Sequence, residues 1–548
     1  MKKLDVLELG LVWNRLVSIA DEMTSILIRT AFSTVVNESH DCACILLDRH
    51  GNSIAQSSHA LPAFMGTMPY TAKDILRIYG ADGMHEGDVI ATNDPWVAGG
   101  HLPDLTVIRP VFHRGALVAM AASTAHLPDI GGKVWSADCA EVFEEGFRIP
   151  PIKIVERGVR NELFFNILRS NVRYPDDVEH DILAQVAATR FGAERLVTLL
   201  ERRPDIDISA LAVDILDRSD EGMRKAIAGL PRGTYVHEVS LDGFDEELTL
   251  RCRLTVDGER LHVDFAGSSL QQPWGINSVI HYTRAYASYA LKCALNPEAP
   301  CNEGSFRRID VAAPKGSVLN AQMPAAVGGR HLTGMFVPFA IYGALAKARP
   351  ELAMADSGLP GSPYFTLKWP DTGRAVSQFF SSNGGMGATW GGDGVSVCSF
   401  PTNISNVPIE VVEARSGLVV EKRELTTDSG GPGRWRGGLG QTYVLRVPES
   451  FDGQAWVAML SDRTGHPALG RLGGQTGSLR TNRLNGLTDM HSKRRIQIKA
   501  GDRIEVQMPG GGGVGDPRER SRKDIERDLL EGYISAAQAR ASYGYEDA

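Results

Sequence analysis

Two segments of the 548-residue chain carry the same tetrapeptide, His101-Leu102-Pro103-Asp104 and His126-Leu127-Pro128-Asp129. The first follows Asn93-Asp94-Pro95 and Gly99-Gly100, and the second runs into Gly131-Gly132. Two imidazoles and one carboxylate that converge with coordination positions left open suit a catalytic divalent metal such as Zn, Mn or Fe(II). The spacing matches no standard zinc motif. A second reading is a pair of Asx-type turns, with the histidines satisfied by backbone carbonyls and the glycines serving only to reverse the chain. Spacing alone leaves the two readings level.

A hairpin would bring these groups together. Residues 105–112 and 115–122 are apolar runs rich in β-branched residues, separated by His113-Arg114. Opposed residues of an antiparallel pair have numbers of constant sum, and setting Phe112 opposite Gly115 also sets His101 opposite His126. Pro103 keeps its short segment out of a regular central strand, so Asp104 need not point away from His101.

Around this hairpin the patterning predicts helices over 6–32, 69–79, 175–201, 208–227, 281–293 and 334–349, from apolar positions at helical spacing and prolines at the first turns. Strands are expected over 43–48 and 53–56, joined by Arg49-His50-Gly51-Asn52, which puts Asp41 at a strand's start. Short alternating runs over 233–241, 247–255 and 260–265 indicate an antiparallel sheet. The expected class is therefore mixed α+β. Residues 1–230 would form a helical and sheet lobe bearing the metal hairpin, and 231–548 a β-rich, glycine-dense lobe with a C-terminal helix, divided at Leu230-Pro231-Arg232-Gly233.

Hydrophobic residues at 43% and charged residues at 23% are ordinary for a soluble globular protein, and a net charge of −8 argues against a nucleic-acid partner. Seven cysteines without framework spacing indicate a reducing compartment, with Cys42 and Cys44 packed on one strand face as inert thiols. The start Met1-Lys2-Lys3-Leu4-Asp5 leads into an amphipathic segment rather than a signal peptide, and there is no uncharged apolar run of membrane-spanning length. A cytoplasmic protein with no membrane partner is expected.

Two loops offer helix N-termini to an anion: 264–278 ahead of the 281–293 helix, and Gly328-Gly329-Arg330-His331 ahead of 334–349, which adds a cation. The many other glycine clusters match neither a Walker A nor a dinucleotide-binding pattern. They are expected to form turns, or backbone that something approaches closely.

The stretch from Asn93 through Phe112, followed by Ala125-His126-Leu127-Pro128-Asp129-Ile130-Gly131-Gly132, resembles the signature of the hydantoinase B/oxoprolinase family. So do Arg29-Thr30-Ala31-Phe32-Ser33, Glu38-Ser39-His40-Asp41-Cys42-Ala43, Asn302-Glu303-Gly304, Asn406-Val407-Pro408-Ile409-Glu410 and Gly510-Gly511-Gly512-Gly513-Val514-Gly515-Asp516-Pro517, which spread the resemblance over nearly the whole chain. That family includes the B-type components of ATP-dependent N-methylhydantoinases, the C-terminal part of 5-oxoprolinases and the large subunit of acetone-type carboxylases. In the carboxylase branch the motif implies one divalent metal (Mn, Zn or Fe) held by the residues matching His101, Asp104 and His126.

The resemblance further implies a hetero-oligomer with a hydantoinase A-type subunit, which uses ATP and Mg to phosphorylate a carbonyl oxygen. The present chain would then complete hydrolysis of a cyclic amide: a hydantoin, oxoproline or another lactam. The alternatives are the large subunit of a ketone carboxylase and a non-catalytic assembly subunit with a structural metal. The absence of cysteine from the motif favours an open site. Asp41, Asp94 and Asp129 are the candidates for the general base. Family members often carry a histidine where Phe64 aligns, which implies either that His59 has taken over its role or that the substrate is more apolar.

Overall fold

A computed structural model of the chain describes residues 5–361, 363–369 and 375–546. Met1 to Leu4, the head of the segment read as lacking a leader, lie outside the described residues. The first sheet is antiparallel throughout and has seven strands: β1 Cys42–Asp48, β2 Ser53–Gln56, β3 Val89–Thr92, β4 Asp104–His113, β5 Ala116–His126, β6 Ile152–Glu156 and β7 Val159–Arg160, in the order β2-β1-β5-β4-β3-β6-β7. Its central strands read as near-continuous apolar runs because both faces are covered. Cys42, Cys44 and Leu46 enter one core with the helices Val6–Thr30, Pro175–Arg202 and Ile208–Ala228, while Ala43, Ile45 and Leu47 enter another with the helix Pro62–Tyr79. Cys42 and Cys44 thus share a face, as expected, and burial pushes the Cys44 thiol up to about 12.

The register of the β4–β5 hairpin differs from the expected one. Arg114 (φ 53°) and Gly115 (φ 80°) form a two-residue turn of the I′ kind, with His113 opposite Ala116. A bulge between Val111 and Phe112 shifts the pairing again, so His126 lies opposite Asp104 rather than His101. The turn moved because Gly115 adopts positive φ without strain, which centres the reversal on Arg114-Gly115 instead of His113-Arg114.

The helix expected from Pro69 starts at Pro62 and contains Pro69. An interior proline costs about 3 kcal/mol, but burying Phe64, Met68, Ala72 and Ile75 on this helix stabilises by up to roughly 1.5–3 kcal/mol for each of the larger side chains and offsets it. Gly66 lets the helix Ile280–Leu295 come close: a Cβ there would meet the Ala285 Cβ at 2.5 Å. The predicted 334–349 helix resolves into a short turn His331–Gly334 and the helix Val337–Ala348. The helix Glu162–Asn171, whose apolar face buries Phe164, Phe165 and Leu168, is an addition to the expected set.

Farther along the chain, Gly233–Leu241, Leu248–Asp257, Arg260–Asp264 and Ile309–Ala312 form a four-stranded sheet that packs on Val337–Ala348. Two more sheets, of four and five strands, are built from segments between Tyr364 and Gln507, so the chain is mixed α+β. The largest core spans Val35 to Leu460, and another lies between the last two sheets. Among the described residues no helix is long and apolar enough to cross a membrane.

The glycine clusters approach one another. Gly438 N–H donates to Met386 O (2.8 Å), Gly511 N–H to Gly438 O (2.9 Å) and Gly431 N–H to Gly511 O (2.8 Å). A Cβ on Gly437 would stand 1.9 Å from Gly511 O. Backbone of this same chain is thus what these glycines admit.

Candidate metal centre

Three neighbouring strands put three functional groups on one rung. β1 pairs with β5 so that Cys42 faces Ala125, which brings Asp41 beside His126, and the His126 N–H donates to Asp41 O (3.1 Å). On the other side β4 sets Asp104 opposite His126. His101 is outside the ladder. It returns to the rung through the turn before β4, in which Asp104 N–H donates to His101 O (3.3 Å). Asn93 pins this turn: its Nδ2 donates to Leu102 O (2.8 Å) and Phe147 O (3.0 Å), and its Oδ1 accepts from Ile149 N–H (2.6 Å).

The glycine pair ahead of His101 does more than reverse the chain. A Cβ on Gly99 would meet Asp104 Oδ2 at 2.7 Å, and one on Gly100 (φ 97°) would meet Arg330 Cδ at 2.8 Å. Both positions must stay bare for Arg330 to reach Asp104.

His101, Asp104 and His126 are all buried, and one ligand atom from each lies within 4.8 Å of the others. Arg330 pairs with Asp104 Oδ2 and donates from Nε to Gly99 O (2.7 Å), with its guanidinium over the Tyr282 ring. The cation of the second anion-site candidate is therefore engaged within the chain. Asp104 Oδ1 is left for the histidines, 3.2 Å from His126 Nδ1 and 2.7 Å from His101 Nε2. Burial raises the Asp104 carboxyl, but Arg330 and the two histidines outweigh it and hold the group well below the usual carboxylate range. Burial, aided by Arg330, lowers His101 to about 4, so its ring is neutral at pH 7.

These residues fit a divalent cation. The His101 Nδ1 lies 2.9 Å from Gly328 O, which can only accept, so Nδ1 carries the proton and Nε2 presents a lone pair. That buried Nε2 has no hydrogen-bond partner although Asp104 Oδ1 is 2.7 Å away. Two acceptors so placed repel unless a cation joins them.

The triad opens on a cavity whose polar rim adds Asp41, Arg330 and His331 and whose wall is Phe64, Tyr286, Met335, Phe379, Ile404 and Leu460. Trp135 also lines it, with its ring centroid 4.7 Å from that of His126 and 5.5 Å from that of His331 and its indole N–H donating to Gly328 O (2.8 Å). Nothing in the sequence singled out Trp135. Asp41 Oδ1 is buried without a hydrogen-bond partner, and burial, opposed by His126, pushes its carboxyl up to about 6.

The other two carboxylate candidates lie elsewhere. Asp94 accepts from Trp96 N–H (3.1 Å) in a turn and stands 3.5 Å from Arg148 Nε, because Pro95 and the tight turn hold it away from the rung. Asp129 pairs with Arg173 Nη1 (2.7 Å) and accepts from Gly131 N–H (3.2 Å) beside a second cavity behind Trp135. Phe64 is buried and lines the same cavity as the triad, whereas His59 is exposed and lines a different groove with Asp21 and His40.

The hydantoinase B/oxoprolinase family model matches residues 5–517. The chain belongs to this family. Its relatives include a chain from Pseudomonas sp. strain NS671 provisionally named as the B-type component of a D-/L-hydantoinase, 31% identical over 99% of this chain and 95% of that one. The beta chain of the Pseudomonas jessenii caprolactamase is 30% identical over 99% of this chain and 96% of its own. Arabidopsis thaliana 5-oxoprolinase 1 is 28% identical, with 93% of this chain aligned to 42% of the longer plant protein. Among solved structures, the ATP-dependent caprolactamase from Pseudomonas jessenii superposes with a TM-score of 0.89 at 28% identity, covering 100% of this chain and 97% of that one. Nucleotide-free acetone carboxylase gives a TM-score of 0.85 at 18% identity over 98% of this chain and 79% of that one, a likeness of fold.

Proposed function

We propose that this member of the hydantoinase B/oxoprolinase family is the metal-containing B-type subunit of an ATP-dependent cyclic amide hydrolase. It completes, in the cytoplasm and in a hetero-oligomer with an A-type subunit, hydrolysis of a carbonyl that the partner has phosphorylated with ATP and Mg. The observation that carries this reading is the buried triad His101, Asp104 and His126 opening on an apolar cavity beside Asp41. The relatives named hydantoinase, caprolactamase and 5-oxoprolinase support the substrate class. The ketone carboxylase alternative rests on fold likeness. An assembly subunit with a structural metal is disfavoured by a ligand set that leaves coordination positions open to a cavity.

When bound, a divalent ion (Mn, Zn or Fe) supplies Lewis acidity and lowers the pKa of water toward neutrality. The chain's own residues do the rest. Asp41, which lines the cavity and whose Oδ1 has no hydrogen-bond partner, takes the proton from the attacking water as general base. Arg330 fixes the Asp104 carboxylate so that Oδ1 faces the histidines. Phe64, Tyr286, Met335 and Phe379 hold an apolar ring and exclude bulk water. Asp94 and Asp129 stand back from the reacting atoms.

The test is reconstitution with the A-type subunit. The isolated chain is expected to hydrolyse neither ATP nor a lactam, and the complex to open a cyclic amide. ATP turnover by the pure chain at the rate of the complex would refute the divided labour. Phe64→His is expected to shift the ratio of kcat/KM for oxoproline against an apolar lactam toward oxoproline by about 10–100-fold, the worth of one polar group otherwise left unpaired. An unchanged ratio would show that Phe64 does not contact substrate.

A further inference from the structure

We infer that Glu145 is a positioning residue for the metal ligand His101, acting through the backbone of Val327 and Gly328. This rests on the metal reading of the triad. Glu145 ends the short helix Val142–Glu145 in the segment that follows Gly131-Gly132; it is buried, and among the described residues no basic side chain forms an ion pair with it. Its Oε1 accepts from Val327 N–H (2.7 Å) and Gly328 N–H (2.6 Å) together. The next carbonyl, Gly328 O, accepts from His101 Nδ1 (2.9 Å) and from Trp135 Nε1 (2.8 Å), which uses both of its lone pairs. One carboxyl oxygen thus anchors the two peptides that lead into Gly328, and the carbonyl of the following peptide fixes the His101 tautomer with Nε2 aimed at Asp104 Oδ1.

The surroundings are shaped to this carboxylate. A Cβ on Gly328 would stand 3.0 Å from Glu145 Oε1, and one on Gly275 would stand 3.2 Å from it. The segment is tied down at both ends: Val142 N–H donates to Pro324 O (2.9 Å) and Phe147 N–H to Ile130 O (2.7 Å). Gly132 admits the return of the chain, since a Cβ there would meet Gly146 N at 2.5 Å. The second HLPD segment therefore contributes His126 directly and, by leading into this loop, also supports His101.

The experiment is titration of the metal-free full-length chain with Mn²⁺, with the melting temperature of each metal-free variant recorded alongside. Glu145→Ala is expected to weaken Mn²⁺ binding about 10–100-fold, the usual cost of losing a group that orients a ligand. Glu145→Gln keeps the Oε1 acceptor and is expected to bind like the parent. Glu145→Asp, one methylene short of the two N–H groups, should lie between them, and it carries the test if the alanine variant does not fold. Rescue by Gln separates positioning from a need for charge. Binding as tight as the parent's in Glu145→Asp and in a folded Glu145→Ala would overturn the inference. His101→Ala in parallel guards the premise: if it too binds Mn²⁺ like the parent, the metal reading itself has failed.

Discussion

The same four residues, His-Leu-Pro-Asp, occur at 101–104 and 126–129, and the fold treats them differently. Both histidines reach the centre, but only the first aspartate does. Asp104 is the opening residue of β4 and pairs across the hairpin with His126, whereas Asp129 lies past the end of β5 and turns to Arg173. The first copy leads into a strand and the second leaves one, so the proline lifts His101 off the ladder in one copy and Asp129 off it in the other. A repeated motif does not have repeated roles; position relative to the strand end assigns them.

The comparison is broken most severely at the first aspartate. Asp104→Ala is expected to abolish stoichiometric metal and to destabilise the chain by about 3–5 kcal/mol, because Arg330 is left buried without its partner. Denaturant midpoints and elemental analysis check both effects, and full metal content in this variant would remove Asp104 from the ligand set. His101→Ala and His126→Ala should likewise lose metal, with smaller losses of stability. If both retain the parent's content, the centre lies elsewhere.

A narrower test lies in the glycines ahead of the first copy. Gly99→Ala places a Cβ against Asp104 Oδ2 and should weaken metal binding by roughly an order of magnitude, the size of effect seen when a ligand's orienting partner is disturbed. Metal titration at unchanged melting temperature would mark the effect as local. The smallest effect belongs to Asp129→Ala. Its pair with Arg173 stands apart from the triad, so removal should leave the metal in place, at a cost in stability of about 1–3 kcal/mol for the donors left unpaired. Loss of metal in that variant would mean that the second aspartate shares the first one's role after all.

Local pattern carried much of this architecture. The helices Val6–Thr30, Pro175–Arg202 and Ile208–Ala228 and the strands Cys42–Asp48 and Gly233–Leu241 fall within a few residues of where periodicity and caps put them. Where a local rule met a tertiary demand, the tertiary demand prevailed: the helix over Pro62–Tyr79 runs through Pro69 because its apolar face is buried.

Within the site, the sequence by itself determined the nearness of the candidate ligands, since Asp104 and His126 lie on the paired strands of one hairpin and His101 sits three residues ahead of the first strand. It also singled out Asp41 at a strand's start, and the family resemblance singled out Phe64. Tertiary structure alone decided which carboxylate faces the triad, that Arg330 is spent on Asp104, and that Trp135 and Glu145 act on the Gly328 carbonyl. The physical reason is separation along the chain. Periodicity reports which face of an element is buried, but Arg330 lies 226 residues from Asp104 and Glu145 lies 183 from Gly328, and contacts at such distances are set by packing of whole elements, which no local pattern encodes.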